Sequence, residues 1–141
     1  ELITLQVHKI GSIPYEQAQW NSSAICYSFL IELIGKCEKE LFIVISLNAH
    51  NEPNAIEICS IGSTERAIVE PKEVFKSALL SNASKIIIAH NHPTGHTIPS
   101  EADYQVTRQI KILSDLLNLP LLDHIIIGHD DYYSFAEHGL L

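Results

Sequence analysis

Between positions 90 and 103 the chain gathers His90, His92, Ser100 and Asp103, in a segment reading AHNHPTGHTIPSEAD from Ala89. These are the side chain types of a hydrolytic zinc site. Zn²⁺ takes imidazole nitrogen and carboxylate oxygen readily, and a catalytic site keeps three protein ligands and one position open for water. His90 and His92 are two apart, and strand side chains repeat every second residue, so at a strand end both rings face the same way.

The elements around these residues must bring them together. The run KIIIA over 85–89 is short, β-branched and bounded by polar residues, as expected of a buried strand. Pro93, Gly95 and Pro99 impose an irregular loop, and Ser100-Glu101-Ala102-Asp103 opens a helix with Asp103 in its first turn. That loop can return Asp103 to the two rings. Ser100-x-x-Asp103 also matches a broad capping box, in which both residues only satisfy orphan amides at a helix start.

The order His90-x-His92, seven residues, Ser100, two residues, Asp103 resembles the pattern of the JAMM (MPN+) zinc metallopeptidases. More narrowly, HNHPTG, PSEAD, LLDHIIIG and YYSFAEHGLL resemble the RadC-like branch, where the line reads HNHPSG, PSxxD, DHxIIG and SFxExG. The likeness runs from about residue 40 to residue 141. Thr94 stands where serine is usual, and His96 where the branch often has aspartate. The resemblance implies that His90, His92 and Asp103 bind Zn²⁺, with water as fourth ligand, and that Ser100 hydrogen-bonds that water or the developing oxyanion. It also implies a glutamate general base ahead of an apolar strand, which falls on Glu40 in KELFIVISLN, with Glu38 and Glu52 as neighbouring carboxylates. The implied reaction is hydrolysis of a peptide or isopeptide bond in a protein or peptide substrate whose class stays open. The alternatives are a non-catalytic MPN-fold interaction module, or an accessory protein of DNA repair or mobile elements. A zinc deaminase would want His-x-Glu with a distant Cys-x-x-Cys, and no Cys-x-x-Cys is present.

The remaining histidines rank lower. His96 reads as a fourth ligand, a substrate contact or, by preference, an exposed loop residue. His124 reads as a core histidine or one that orients a ligand, with Asp123 as its partner. His8, His50, His129 and His138 show no ligand spacing.

With 141 residues the chain is expected to be one domain, its core over about 40–141 preceded by a strand and helix over about 2–35. Hydrophobic residues at 46% and charged ones at 18% are ordinary globular composition, which argues against disorder. The net charge of -8, with nine Lys and Arg and no run of them, argues against broad contact with a phosphate backbone. Longer RadC-like chains carry a helix-hairpin-helix segment ahead of this domain, for which these residues leave no room. Cys26, Cys37 and Cys59 are odd in number and lack C-x-x-C spacing, so neither a disulfide framework nor a cysteine zinc site is expected. No export signal or apolar span of about 20 residues is visible, which makes the cytoplasm the default. The first residue is not methionine, so the chain can be a fragment of a longer one. Oligomeric state is not legible.

Periodicity predicts a strand over 2–10, a turn, and an amphipathic helix over 15–34 with Trp20, Ala24, Tyr27, Leu30, Ile31 and Ile34 as its stripe, ended by Gly35. A central strand over 41–47 and a partner over 55–61 should form a hairpin. Val69 should close a short strand before Pro71, the first residue of a helix to about 80. The strand over 85–89 leads to a helix over 100–117 that buries Ile110, Leu113, Leu116 and Leu117. Strands over 121–127 and 132–135 finish the chain. Mixed elements with recurring hairpins predict an α/β (α+β) three-layer domain with a mixed sheet flanked by helices, rather than a doubly wound parallel one. The resemblance implies the MPN/JAB, cytidine-deaminase-like version of that arrangement.

Overall fold

A computed structural model describes residues 1–14, 19–62 and 69–141. The elements in order are α1 (Ser23–Ile34), β1 (Leu41–Leu47), β2 (Pro53–Ile61), α2 (Pro71–Leu80), β3 (Lys85–Asn91), α3 (Glu101–Leu116), β4 (Leu121–Ile127) and β5 (Tyr132–Ser134). The strands form one mixed sheet in the order β2-β1-β3-β4-β5. Only β3 and β4 are parallel; the other pairings are antiparallel.

The sequence of the inner strands explains the layers. LFIVISL of β1 and KIIIAHN of β3 are buried at nearly every position, because helices cover both faces of the sheet. Odd-numbered side chains, among them Ile43, Ile45, Ile87, Ile125 and Ile127, pack with Cys26, Leu30 and Ile34 of α1 and with Trp20. Even-numbered ones, among them Phe42, Val44, Ile86 and Ile88, pack with Val74, Phe75 and Ala78 of α2 and Ile110 of α3. The result is the expected α+β sandwich of three layers. Parity then assigns the chemistry: Glu40, ahead of Phe42, and His90, after Ile88, fall on the α2 and α3 side. Parallel strands cannot be joined by a tight turn, and α3 is the crossover between β3 and β4. Its first turn therefore starts where β3 ends, the place where open α/β sheets commonly hold ligands.

Several boundaries differ from expectation. Residues 2–10 form no strand, and Leu2, Ile3, Leu5, Val7 and Ile10 are exposed. Alternation alone makes a strand only where a ladder partner exists, and here none of the five strands pairs with it. The first helix begins at Ser23 rather than near residue 15, because Ser22 is its N-cap and accepts from the Ile25 amide at 3.3 Å. Positions 15–18 lie outside the described residues. Trp20 is buried ahead of the helix, its amide bonded to the Asn51 carbonyl at 2.8 Å; Ala24 is exposed, and Cys26 fills the inward position. Val69 is not in a strand, and residues 63–68 ahead of it lie outside the described residues. In α3 the buried face is Thr107, Ile110 and Ser114, whereas Leu116 and Leu117 are exposed and Leu119 beyond the helix is buried instead. The strand expected over 85–89 runs on through Asn91, so His90 is a sheet residue, paired with Phe42 on one side and Ile126 on the other. Among the described residues, no helix is long and apolar enough to cross a membrane.

Candidate metal centre

His90 is held before any ligand is considered. Its backbone lies between β1 and β4, and its ring, 1% exposed, stacks on Phe42 with centroids 5.8 Å apart. His92 follows just past the strand, its amide donating to the Ile127 carbonyl at 2.9 Å. The chain then turns: the Gly95 amide donates to the His92 carbonyl at 2.8 Å, and Gly95 has φ +86°, a backbone that L side chains rarely adopt. A Cβ there would also collide with the His129 ring at 2.4 Å. The loop ends in a complete capping box, in which Ser100 Oγ accepts from the Asp103 amide at 3.1 Å and Asp103 Oδ2 accepts from the Ser100 amide at 2.8 Å.

That box fixes the rotamer of Asp103 and aims its carboxylate at the rings. Asp103 Oδ1 is 3.2 Å from His90 Nε2, and Oδ2 is 3.2 Å from His92 Nε2. The two Nε2 atoms are 3.0 Å apart, and Glu40 Oε1 is 3.7 Å from His90 Nε2. One ligand atom from each of Glu40, His90, His92 and Asp103 lies within 4.8 Å of all the others. Their side chains are partly screened, with Glu40, Asp103 and His92 only 12%, 13% and 18% exposed.

The donor set fits a divalent cation. His92 Nδ1 faces the His96 carbonyl oxygen at 2.8 Å, and a carbonyl can only accept, so the neutral ring carries its proton on Nδ1 and turns a lone pair at Nε2 inward. Two carboxylates and that lone pair are all acceptors. Acceptors do not bind one another, so a positive charge belongs among them, either a proton or a metal ion. Burial works against charge on Asp103, but hydrogen bonds from the protonated rings of His90 and His92 overcome it and hold the carboxyl well below the usual carboxylate range. Burial likewise lowers His92, but the bond to Asp103 and its charge outweigh this and raise the ring above the ordinary histidine value.

Glu40 reaches the cluster through Asn91. That side chain, 1% exposed and on the opposite face from the histidines, accepts from the Leu41 amide at 2.7 Å and donates to the carbonyls of Lys39 at 3.0 Å and Cys37 at 3.2 Å. The segment entering β1 is thereby clamped to β3. Glu38 is exposed, and Glu52 accepts from Asn48 at 2.7 Å in the turn after β1, at the other end of that strand. Of the three carboxylates only Glu40 joins the cluster.

Other sequence expectations fare differently. Ser100 is exposed, and its hydroxyl accepts from the Asp103 amide in the cap. His96 is exposed and contributes its carbonyl, not its ring, to the group's support. His124 is fully buried, but its partner is not Asp123, which lies on the α1 face and accepts from Ser23 at 2.8 Å and Ser134 at 2.6 Å. Its ring nitrogens instead meet His90 Nδ1 at 2.8 Å and Thr107 Oγ1 at 2.6 Å. Burial pushes His124 well below the ordinary value, with the His90 charge adding to the effect. His8, His50, His129 and His138 are exposed and outside the group. Thr107 and Asn91 were not singled out by the sequence. Thr107 had a signal in its spacing, four residues after Asp103 and so on the same helix face; Asn91 lay masked between two better candidates.

Comparison with known proteins accords with this geometry. The RadC-like JAB domain family matches residues 20–140. The chain is 44% identical over 103 residues to a UPF0758 protein of Chlorobaculum parvum, covering 73% of this chain and 46% of that one. It is 46% identical over 103 residues to a UPF0758 protein of Pelodictyon phaeoclathratiforme, again covering 73% and 46%. UPF0758 protein YfjY of Escherichia coli is 44% identical over 104 residues, covering 74% of this chain and 65% of that protein. The chain thus spans between about half and two thirds of these relatives. The mixed sheet, the cluster at the end of β3 and the match over residues 20–140 together place the chain in the RadC-like JAB domain family.

Proposed function

We propose that the chain is a zinc-dependent hydrolase of the JAMM type, cleaving a peptide or isopeptide bond in a protein or peptide substrate. The observation that carries this reading is the convergence of four acceptor side chains, Glu40, His90, His92 and Asp103, on one partly screened point. His90, His92 and Asp103 would hold the ion, and Glu40, the most distant of the four, would stand beside it. Bound zinc supplies a coordinated water of lowered pKa, near 7, and polarises the scissile carbonyl. Glu40 takes the proton from the attacking water and returns it to the leaving amine, so that the C–N bond breaks to a carboxylate and a free amine. The Ser100 hydroxyl accepts in the cap and keeps its own proton, which it donates to the developing oxyanion. The three unpaired cysteines fit a reducing compartment, and the cytoplasm is the compartment proposed.

Metal content and one substitution test the reading. Natively prepared protein should carry zinc in a one-to-one ratio by mass spectrometry, and Asp103→Ala should lose it together with the rise in melting temperature on zinc addition. Glu40→Gln should keep the zinc and lose hydrolysis, and peptides trapped by that variant in cells would reveal the substrate. Metal-free wild type indifferent to added zinc would rule the proposal out.

A further inference from the structure

We propose that Thr107 and His124 form a hydrogen-bonded relay that locks His90 as its Nδ1–H tautomer, so that the Nε2 lone pair faces Glu40, His92 and Asp103. The relay rests on the metal-centre reading above, and makes Thr107 and His124 positioning residues for that centre.

The protons can be placed by following the chain from its fixed end. The Asp103 carbonyl oxygen lies 2.7 Å from Thr107 Oγ1 and can only accept, so the single hydroxyl proton of Thr107 is committed to it. Thr107 Oγ1 must then accept from its other neighbour, His124 Nδ1, at 2.6 Å. With its proton on Nδ1, neutral His124 has only a lone pair at Nε2. That lone pair lies 2.8 Å from His90 Nδ1, which must donate to it. His90 is left with a bare Nε2, and this is the atom 3.2 Å from Asp103 Oδ1 and 3.0 Å from His92 Nε2. A ring nitrogen's metal-binding form is set by the bond the other nitrogen makes.

A packing role alone does not account for this arrangement. His124 stacks on Phe135 with centroids 4.7 Å apart, which any flat apolar ring would do. Yet both of its nitrogens are bonded in full burial, and the line they form ends in a group that cannot donate. Asp103 supplies both ends: its carbonyl sets the direction, and its carboxylate faces the lone pair that results. His92 reaches the same tautomer independently, through the His96 carbonyl.

The test uses Thr107→Val, which keeps the shape and removes the hydroxyl, and Thr107→Ser, which keeps the hydroxyl. Nitrogen-15 NMR of the histidine rings, on chelator-treated 141-residue chain at mildly alkaline pH, reads the tautomers, and competition with a chromophoric chelator reads zinc affinity. In wild type, His90 and His124 should both be protonated at Nδ1 and bare at Nε2. Thr107→Val should move protons towards Nε2 on both rings and weaken zinc binding about 10- to 100-fold, the usual effect of losing an outer-shell partner, and Thr107→Ser should restore both. Wild-type His90 carrying its proton on Nε2 overturns the relay, and that measurement needs no variant to fold. So does a Thr107→Val protein with unchanged tautomers and zinc affinity. Wild type with the stated tautomers but no affinity for zinc would sink the metal reading and support the relay; reversed tautomers with zinc bound would do the opposite.

Discussion

Asn91 stands between the two histidines, and its side chain serves the opposite face of the strand. Its three bonds tie down the peptide groups around Glu40, and each buried group left unpaired costs about 1–3 kcal/mol. Asn91→Ala should therefore lower the melting temperature and, because Glu40 loses its anchor while His90 and His92 do not, cut kcat with zinc stoichiometry retained. Loss of zinc in this variant would show that the clamp supports the ligands instead. The pair His92–Asp103 sets a pH dependence of definite sign. His92 is raised above 6.5 in the fold, so its contribution to the metal-free protein is full below that value and is lost as pH rises through the raised one. Asp103 is depressed below 3.8, so its contribution is present above that value and is lost as pH falls towards the depressed one. Chelator-treated protein should gain most from the pair between these limits, and zinc affinity should climb across the histidine range as the rings shed protons. Melting curves of wild type and His92→Ala against pH, with and without chelator, check both signs.

At the scale of elements, α3 does two jobs with one turn. Its capping box starts the helix and orients the Asp103 carboxylate, so stability and site geometry share the same hydrogen bonds. Ser100→Ala should cost about 1 kcal/mol, because the Asp103 amide loses its acceptor, while zinc stays bound, because the Ser100 amide still holds the Asp103 carboxylate. Ser100→Asp separates the roles: it restores the cap acceptor without a hydroxyl proton, so melting temperature should recover while hydrolysis does not. Full hydrolysis in Ser100→Asp would remove Ser100 from the proposed chemistry and leave it a cap. The helix and its cap were readable because capping is local, a matter of residues three apart. The burial of Leu116 and Leu117 was misread because which residues face inward at a helix end depends on where the sheet lies, and Leu119 took the inward place.

For the whole molecule, charge and topology make separate statements. A net charge of -8 carried by a chain with nine Lys and Arg leaves little to neutralise phosphates, so saturable binding to duplex DNA is not expected at physiological salt. Fluorescence anisotropy with a labelled duplex checks this, and a salt-sensitive isotherm would reveal a basic surface. The inner strands, the hairpin of β1 and β2, and the order of histidines, serine and aspartate were legible in the sequence, because continuous β-branched runs and local motifs carry their own signal. The strand expected over 2–10 failed because alternation describes one chain, while a strand is a relation between two. Types and spacing thus pointed to zinc-ligand chemistry at His90, His92 and Asp103, and the family resemblance added the roles expected of Ser100 and Glu40. Only the tertiary structure decided that Glu40, not Glu38 or Glu52, reaches the histidines, that Asn91 holds it there, and that His124 answers to Thr107 rather than to Asp123. The physical reason is parity and topology: Asp123 and His124 are adjacent in sequence but point to opposite faces of β4, and a crossover helix brings Thr107 over the face that His124 occupies.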